Sequence, residues 1–298
     1  MGPLSCFASQ AMAVAVLGTG LMGRSFVLHV LASGQQVHVW NRNPVKARAL
    51  EAAGAVAFAQ ADQAAAGVER IHLSLADDAA VDQVLDSIAA SAPHQAPIID
   101  HSTVGPGPTA ERAARWAERG RIYLHAPVFM APANAEAGTG FMLLSGNPEH
   151  CARVLPALEA MASKVVNLGP DPGRAAAFKL MGNLGLLAMS AVAGEVMRLA
   201  AACGVSAAEA AGLFQVFNPG SVLPERARKV ASGPYAPPSA SVTTMRKDFG
   251  VMLAAAEREA IPLTWLPALD DLFAAAIERG ESGLDVTAAF RYPITPVS

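Results

Sequence analysis

"VAVLGTGLMGRS", Val14 to Ser25, satisfies two phosphate-binding patterns at once. Gly18-Thr19-Gly20-Leu21-Met22-Gly23 is G-x-G-x-x-G, the turn that carries a dinucleotide. Gly18, Gly23, Arg24 and Ser25 also come within one residue of the triphosphate loop G-x-x-x-x-G-K-[ST], with Arg in place of Lys. The first reading asks for an apolar strand before the glycines and an amphipathic helix after them. Both are present, in Ala13-Leu17 and Leu21-Ala32. In such a turn the first glycine (Gly18) allows the bend, the second (Gly20) lets backbone approach a pyrophosphate, and the third (Gly23) lets helix pack on strand. The phosphates then meet free N–H groups at the helix N-terminus, beside Leu21 and Met22. The second reading lacks the Lys that reaches the outer phosphates, and Arg differs from it in shape and reach. It also needs an acidic metal ligand after a strand, for which Asp100 is the candidate.

Working outward, short β-rich runs alternate with helical patterns from Ala13 to about Gly169. Strands are expected at Ala13-Leu17, Gln36-Trp40, Arg70-Leu75, Pro97-Asp100, Arg121-Leu124, Phe141-Ser145 and Lys164-Leu168. Helices are expected at Leu21-Ala32, Pro44-Ala53, Asp78-Ala90, Pro108-Arg119 and Pro148-Ala162. Asn43-Pro44 reads as a cap followed by proline in the first turn. Such alternation implies βαβ units and a doubly wound parallel α/β sheet. Beyond "GPDPG" (169–173) strand signals fade. One long helix is expected from Arg174 to about Cys203, then helices at Ala207-Phe214, Thr243-Glu259 and Leu266-Arg279. The expected organisation is a loosely held tail over 1–12, a nucleotide-binding α/β domain over 13–170, and an all-helical domain over 171–298.

Composition narrows the function. The 298 residues are 52% hydrophobic, 16% charged and carry a net charge of −3. No basic excess points to nucleic acid, and no polybasic run to an anionic membrane. The apolar stretch Leu180 to Gly194 is shorter than a membrane span and is read as a buried helix. Cys6, Cys151 and Cys203 are odd in number and widely spaced, which fits free thiols in the cytoplasm. No His, Cys or carboxylate spacing suggests a metal. At the end of the second strand, where an acidic residue would take the ribose 2′-hydroxyl of NAD, stand Asn41-Arg42-Asn43. No carboxylate repels a 2′-phosphate there, and Arg42 and Lys46 can hold one. The expected cofactor is therefore NADP(H), with NAD(H) the alternative.

Further motifs follow in order: "SLADDAAVDQVL" (74–85), "DHSTVGP" (100–106), "APVFMAPANAEAGT" (126–139), "AAAFKLMGNLGL" (175–186) and "MRKDFGVML" (245–253). With the glycine turn they resemble the β-hydroxyacid dehydrogenase family over nearly the whole chain. That family includes 3-hydroxyisobutyrate, tartronate-semialdehyde and glyoxylate/succinic-semialdehyde enzymes. The resemblance implies a Rossmann-type domain joined by a long helix to a helical domain like that of 6-phosphogluconate dehydrogenase. It implies a homodimer or homotetramer acting on a small substrate that bears a carboxylate. It makes Lys179 the catalytic lysine and Asn183 its companion, and i,i+4 spacing puts both on one helix face. A lysine ammonium can deliver a proton to a carbonyl oxygen and stabilise the charge forming there. Ser102 and Thr103, at the carboxyl end of a strand, are implied to meet nicotinamide ribose or substrate. Leu75 and Ala76 are implied beside the cofactor, and Lys247 is implied to approach it from the helical domain. Asp248 reads as a structural partner. His101 and His125 read as packed or hydrogen-bonded histidines rather than bases.

One departure stands out. The family's substrate loop usually reads Asp-Ala-Pro-Val-Ser-Gly-Gly, and here it is His125-Ala126-Pro127-Val128-Phe129-Met130-Ala131. The hydroxyl is lost at Phe129, and Met130 and Ala131 replace glycines, so apolar side chains are expected to border the substrate. That admits a less polar carbonyl, or a C=N substrate as in the related imine reductases, which generally replace the lysine retained here. A non-catalytic NADP(H)-binding protein on the same fold is the alternative of another class.

Overall fold

The computed structural model describes residues 12–291. The expected tail, apart from Met12, and Cys6 with it, lie outside the described residues. The strands are β1 (Val14–Leu17), β2 (Val37–Trp40), β3 (Val56–Ala57), β4 (Arg70–Leu73), β5 (Ile98–Asp100), β6 (Tyr123–His125), β7 (Val128–Phe129), β8 (Phe141–Leu144) and β9 (Lys164–Asn167). The helices begin with α1 (Leu21–Ala32), α2 (Pro44–Arg48), α3 (Ala61–Ala65), α4 (Asp78–Ile88), α5 (Pro106–Glu118), α6 (Pro132–Ala137) and α7 (Pro148–Glu159). They continue with α8 (Arg174–Ala202), α9 (Ala207–Val216), α10 (Leu223–Ser232), α11 (Val242–Arg258) and α12 (Leu266–Glu278).

The first six strands form one parallel sheet in the order β3-β2-β1-β4-β5-β6. The direction of winding reverses between β1 and β4, and open sheets of this kind take their ligand at the carboxyl ends beside that reversal. Alternate residues of β1 face opposite sides: Val14 and Val16 join one buried cluster, Ala15 and Leu17 another. Both faces are covered, so the strand reads as an unbroken apolar run. Each fully buried Leu or Ile contributes roughly 1.5–3 kcal/mol. A smaller sheet, β7-β8-β9, pairs β7 with β8 antiparallel and β8 with β9 parallel. The buried Arg112 of α5 grips α4 through both oxygens of Asp82, at 2.9 and 3.1 Å, and Oδ1 of Asp78 at 2.6 Å. Asp78 Oδ2 accepts the Gly105 N–H at 3.0 Å, which ties down the loop after β5.

Several expectations need correcting. The expected strand Arg70-Leu75 ends at Leu73, which frees Ser74, Leu75 and Ala76 to line the ligand groove. The expected helix Pro44-Ala53 stops at Arg48 and continues as a 3-10 turn over Glu51–Ala53, closed by Gly54 at φ 101°. Its start is as read: Asn43 accepts the Val45 N–H, with Pro44 in the first turn. β3, β7, α3 and α6 carry no strand or helix signal long enough to show a period, and α10 is mostly polar.

The chain divides into two compact units by packing, one ending at Leu184 and the other beginning at Gly185, and this division falls inside α8. The second unit has its own core, with Val242, Phe249, Phe273 and Val286 at its centre. The buried-helix reading of Leu180 to Gly194 fails. Leu184 is 70% exposed and Leu187 69%, and Leu186 and Met189 are exposed as well. Within α8 the segment belongs to a 29-residue helix that, by length and composition alone, is long and apolar enough to cross a membrane.

Candidate active site

At the carboxyl end of β1 the chain turns through Gly18, whose φ of 98° lies in the left-handed region. A Cβ on Gly18 would collide with the Ser74 carbonyl oxygen, and one on Gly23 with the Gly18 carbonyl oxygen. These two glycines are demanded by packing. Gly20 differs: a Cβ there would meet nothing within 4 Å, because it faces an open groove. Gly20 is also the N-cap of α1 and offers no side-chain acceptor to the first N–H groups of that helix. The Thr19 hydroxyl is buried without a partner in the same turn.

The groove, of about 470 Å3, is lined by Gly18, Gly20, Leu21, Met22, Asn41, Arg42, Asn43, Lys46, Leu75 and Ala76, all expected to meet the cofactor. Trp40, Ser74, Ala80, Gln83 and Val84 complete it. Gln83 and Val84 reach it only because α4 presents that face, and their sequence context carries no such signal. Asn41 is spent on the fold: Oδ1 accepts the Thr19 N–H and Nδ2 donates to the Asn43 carbonyl, both at 3.0 Å. Arg42 and Lys46 are exposed on the groove rim. An open cradle over Gly20, free helix N–H groups and two cations at the far end fit a dinucleotide carrying a 2′-phosphate.

A second cavity of about 190 Å3 shares Met22, Ser74 and Leu75 with the groove and adds His101, Ser102, Thr103, Val128, Met130 and Lys179. Ser102 is held on every side. Its N–H donates to Asp100 Oδ1 at 2.8 Å, its carbonyl accepts from His125 Nε2 at 2.9 Å, and its Oγ accepts the Leu75 N–H at 2.9 Å. The hydroxyl keeps its own proton free to donate. Tyr123 donates to the other Asp100 oxygen at 2.8 Å. Asp100 is thus buried and engaged through both oxygens, which removes the metal ligand that the triphosphate reading required. Among the described residues no cluster of metal-ligating side chains is present.

Lys179 lies in the second turn of α8 and donates to the Val128 carbonyl at 2.6 Å. Its ammonium stands 4.3 Å from the centre of the Phe129 ring, which stacks on Phe141 at 5.9 Å. Burial pushes the ammonium below the ordinary lysine range, and no charged neighbour offsets it. Phe129 does not wall the cavity as expected. β7 turns Val128 and Met130 toward it and sends the Phe129 ring beneath Lys179, against Gly182. A Cβ at residue 182 would strike that ring. Ala131 is exposed at the start of α6, and Asn183 is half-buried on α8; neither lines this cavity. Lys247 belongs to the second unit, where it is exposed and pairs with Asp248 at 3.4 Å.

Residues 13–169 match the NAD-binding domain of 6-phosphogluconate dehydrogenase, and residues 173–293 match the NAD-binding domain of NADP-dependent 3-hydroxyisobutyrate dehydrogenase. The chain belongs to the β-hydroxyacid dehydrogenase family. It is 28% identical to 3-sulfolactaldehyde reductase of Escherichia coli K12, over 93% of this chain and 94% of that protein. It is also 28% identical to L-threonate dehydrogenase of the same strain, over 93% of each chain. Among solved structures, a reductive aminase from Aspergillus terreus in complex with NADPH and ethyl levulinate superposes with a TM-score of 0.84 at 25% identity, over 94% of this chain and 98% of that one. The protein is accordingly an NAD(P)-dependent oxidoreductase of the type that acts on CH–OH groups.

The glycines separate folding from binding. Gly23→Ala is expected to cost on the order of 2–4 kcal/mol in denaturant unfolding, because backbone must move. Gly20→Ala, at a φ of −67° that suits alanine, is expected to leave the melting curve unchanged. It should weaken NADPH binding about tenfold or more, read by fluorescence titration.

Proposed function

We propose that the protein is an NADP(H)-dependent reductase in which Lys179 donates the proton to the carbonyl oxygen of a small, carboxylate-bearing aldehyde or keto acid, and accepts it in the reverse direction. The observation that carries this reading is the Lys179 ammonium in the same cavity as Ser102 and Met22, next to the groove of the glycine turn. The dinucleotide supplies or takes the hydride when bound. Ser102, with one proton left to donate, orients the substrate oxygen. Asn183 and Lys247 join the reading through the family resemblance, as an orienting amide and a second cation toward the cofactor. A desolvated ammonium is a better proton donor than one in water, and the Val128 carbonyl and Phe129 ring hold it in place. The free thiols, buried at Cys151 and exposed at Cys203, support a cytoplasmic setting.

A second reading is favoured by one feature. The hydroxyl that the family offers at residue 129 is absent, and Met130 walls the cavity. Both suit a less polar C=N or C=O group. Assaying NADPH oxidation with glyoxylate, succinic semialdehyde and 1-pyrroline separates the two. Turnover of the first two supports the acid-substrate reading, and turnover of the imine alone supports the second. Lys179→Ala is expected to lower kcat on the better substrate by about 10²–10⁴ while leaving the NADPH Kd unchanged. Reduction needs the protonated amine, so the wild-type rate should fall as pH rises through a pKa below the usual value of about 10.4. Undiminished turnover in the variant would overturn the proposal.

The NADP(H) preference is supported by Arg42 and Lys46 on the groove rim and by the absence of a carboxylate at the end of β2. Arg42→Ala should raise the NADPH Kd by about 10-fold and leave that for NADH nearly unchanged, since one charge-assisted contact is worth about 1.5–3 kcal/mol.

A homodimer or larger assembly is supported by the exposed leucines and methionines of α8. Monomers rarely leave so large an apolar patch uncovered. Glu195 on the same helix is buried and receives N–H groups from Thr264, Trp265 and Leu266, as suits a protein-facing helix rather than a lipid-facing one. Light scattering is expected to give a dimer or tetramer for the wild type and a monomer for Leu187→Glu.

A further inference from the structure

Four polar groups that the proposed reaction does not use form one continuous chain through the main sheet. Arg70 Nε donates to His72 Nε2 at 3.1 Å. His72 Nδ1 meets His101 Nε2 at 2.8 Å, and the two rings stack 5.2 Å apart within 10° of parallel. His101 Nδ1 meets the Ala126 carbonyl at 2.6 Å. Both histidines are buried.

The chain has only one self-consistent direction. A guanidinium has no acceptor, so His72 Nε2 must accept and its proton must sit on Nδ1. That proton is donated to His101 Nε2, which leaves the His101 proton on Nδ1, pointing at the carbonyl. A second proton on either ring would set two N–H groups against each other or against Arg70. Both rings are therefore neutral, and burial acts in the same sense, holding His101 at about 4. Arg70 is itself fixed by Gln35 at 2.7 Å and by Glu69.

The far end of this chain is the substrate loop. Ala126 donates its N–H to the Asp100 carbonyl at 2.7 Å, and the Pro127 carbonyl accepts from Leu143 at 2.9 Å. The next carbonyl, that of Val128, receives the Lys179 ammonium. The His101 ring also forms one wall of the cavity that contains Lys179. We propose that His101 is a positioning residue: the Arg70–His72–His101 chain fixes the Ala126–Val128 backbone and so holds the carbonyl on which the Lys179 ammonium rests. This rests on the reading of Lys179 as proton donor only for its functional meaning, because the geometry can be tested without turnover. The charged and titratable groups around His101 are Asp100, His125 and His72, with Arg70 beyond. Around the ammonium stand the Val128 carbonyl and the Phe129 ring.

Two measurements test it. The chain has five lysines, so labelling lysine with 13C at Cε lets Lys179 be titrated directly by NMR in the full-length protein, with Lys179→Arg giving the assignment. In His101→Leu the Val128 carbonyl loses its anchor and the charged amine its firm acceptor, so the Lys179 pKa should fall by about one unit. In His101→Asn, whose amide can still donate to Ala126, it should stay near the wild-type value. The fold of each variant is checked by its circular dichroism. An unchanged Lys179 pKa in folded His101→Leu overturns the proposal. In the wild type, long-range 1H–15N spectra at neutral pH should show both His72 and His101 protonated on Nδ1 alone, a readout that stands even where a variant fails to fold. Either ring protonated on Nε2 also overturns it. Failure of the Lys179 reading has a different signature, namely retained turnover in Lys179→Ala with both histidine tautomers as stated.

Discussion

A half-buried lysine ammonium with no counter-ion among the described residues is the constraint around which the candidate site is organised. Burying a lone cation is expensive, and here the cost is offset by one carbonyl at 2.6 Å and one aromatic face at 4.3 Å rather than by a carboxylate. A carboxylate would have stabilised the charged form and raised the pKa, leaving a poorer acid. A carbonyl and a ring hold the amine in place while burial keeps its pKa down. The same choice makes the site dependent on backbone position, because a carbonyl can be aimed only by fixing the strand that carries it.

The surrounding structure supplies that fixing with buried polar groups that are almost fully satisfied. Asp100 occupies both oxygens with Ser102 and Tyr123, His125 holds the Ser102 carbonyl, and Ser102 Oγ takes the Leu75 N–H. Loops after β4, β5 and β6 are thereby tied to one another at the carboxyl end of the sheet. Apolar packing at these positions would bury more area, but it would not set direction. A hydrogen-bonded carboxylate and neutral imidazoles do set it, provided every member is satisfied. The His125 Nδ1 atom is an exception, buried and without a partner.

The legible part of this arrangement was the part with local causes. The G-x-G-x-x-G turn, the Asn43-Pro44 helix start and the alternation of strand and helix each need only a few neighbouring residues, and the strands and helices they announce are present. The groove residues Arg42 and Lys46 were legible from the end of β2, since strand ends at a reversal of winding face the ligand, whereas Leu75 and Ala76 were implied by the family resemblance. The Phe129 ring was placed on the wrong side because the two-residue strand β7 inverts alternate side chains, and no period can be read from two residues. The role of Gly182 was invisible for the same reason: a glycine inside a helix is explained only by what lies against it. His72 and His101 are far apart in sequence and meet only because β4 and β5 are adjacent, so their pairing had no signal in the chain. The exposure of Leu184 to Met189 could not be read either, because hydropathy records that a surface wants to be covered and not by what.

The helix α8 joins the two demands. In its first three turns Ala175 and Ala176 are buried and Gly182 lets the Phe129 ring in, so close packing fixes the backbone that carries Lys179. Beyond Leu184 the same helix shows an apolar surface to the outside. One helix therefore carries both the candidate proton donor and a run of exposed apolar side chains. An apolar surface of that kind calls for a cover, whereas the ammonium calls for a fixed backbone, so the two stretches of α8 answer to different constraints.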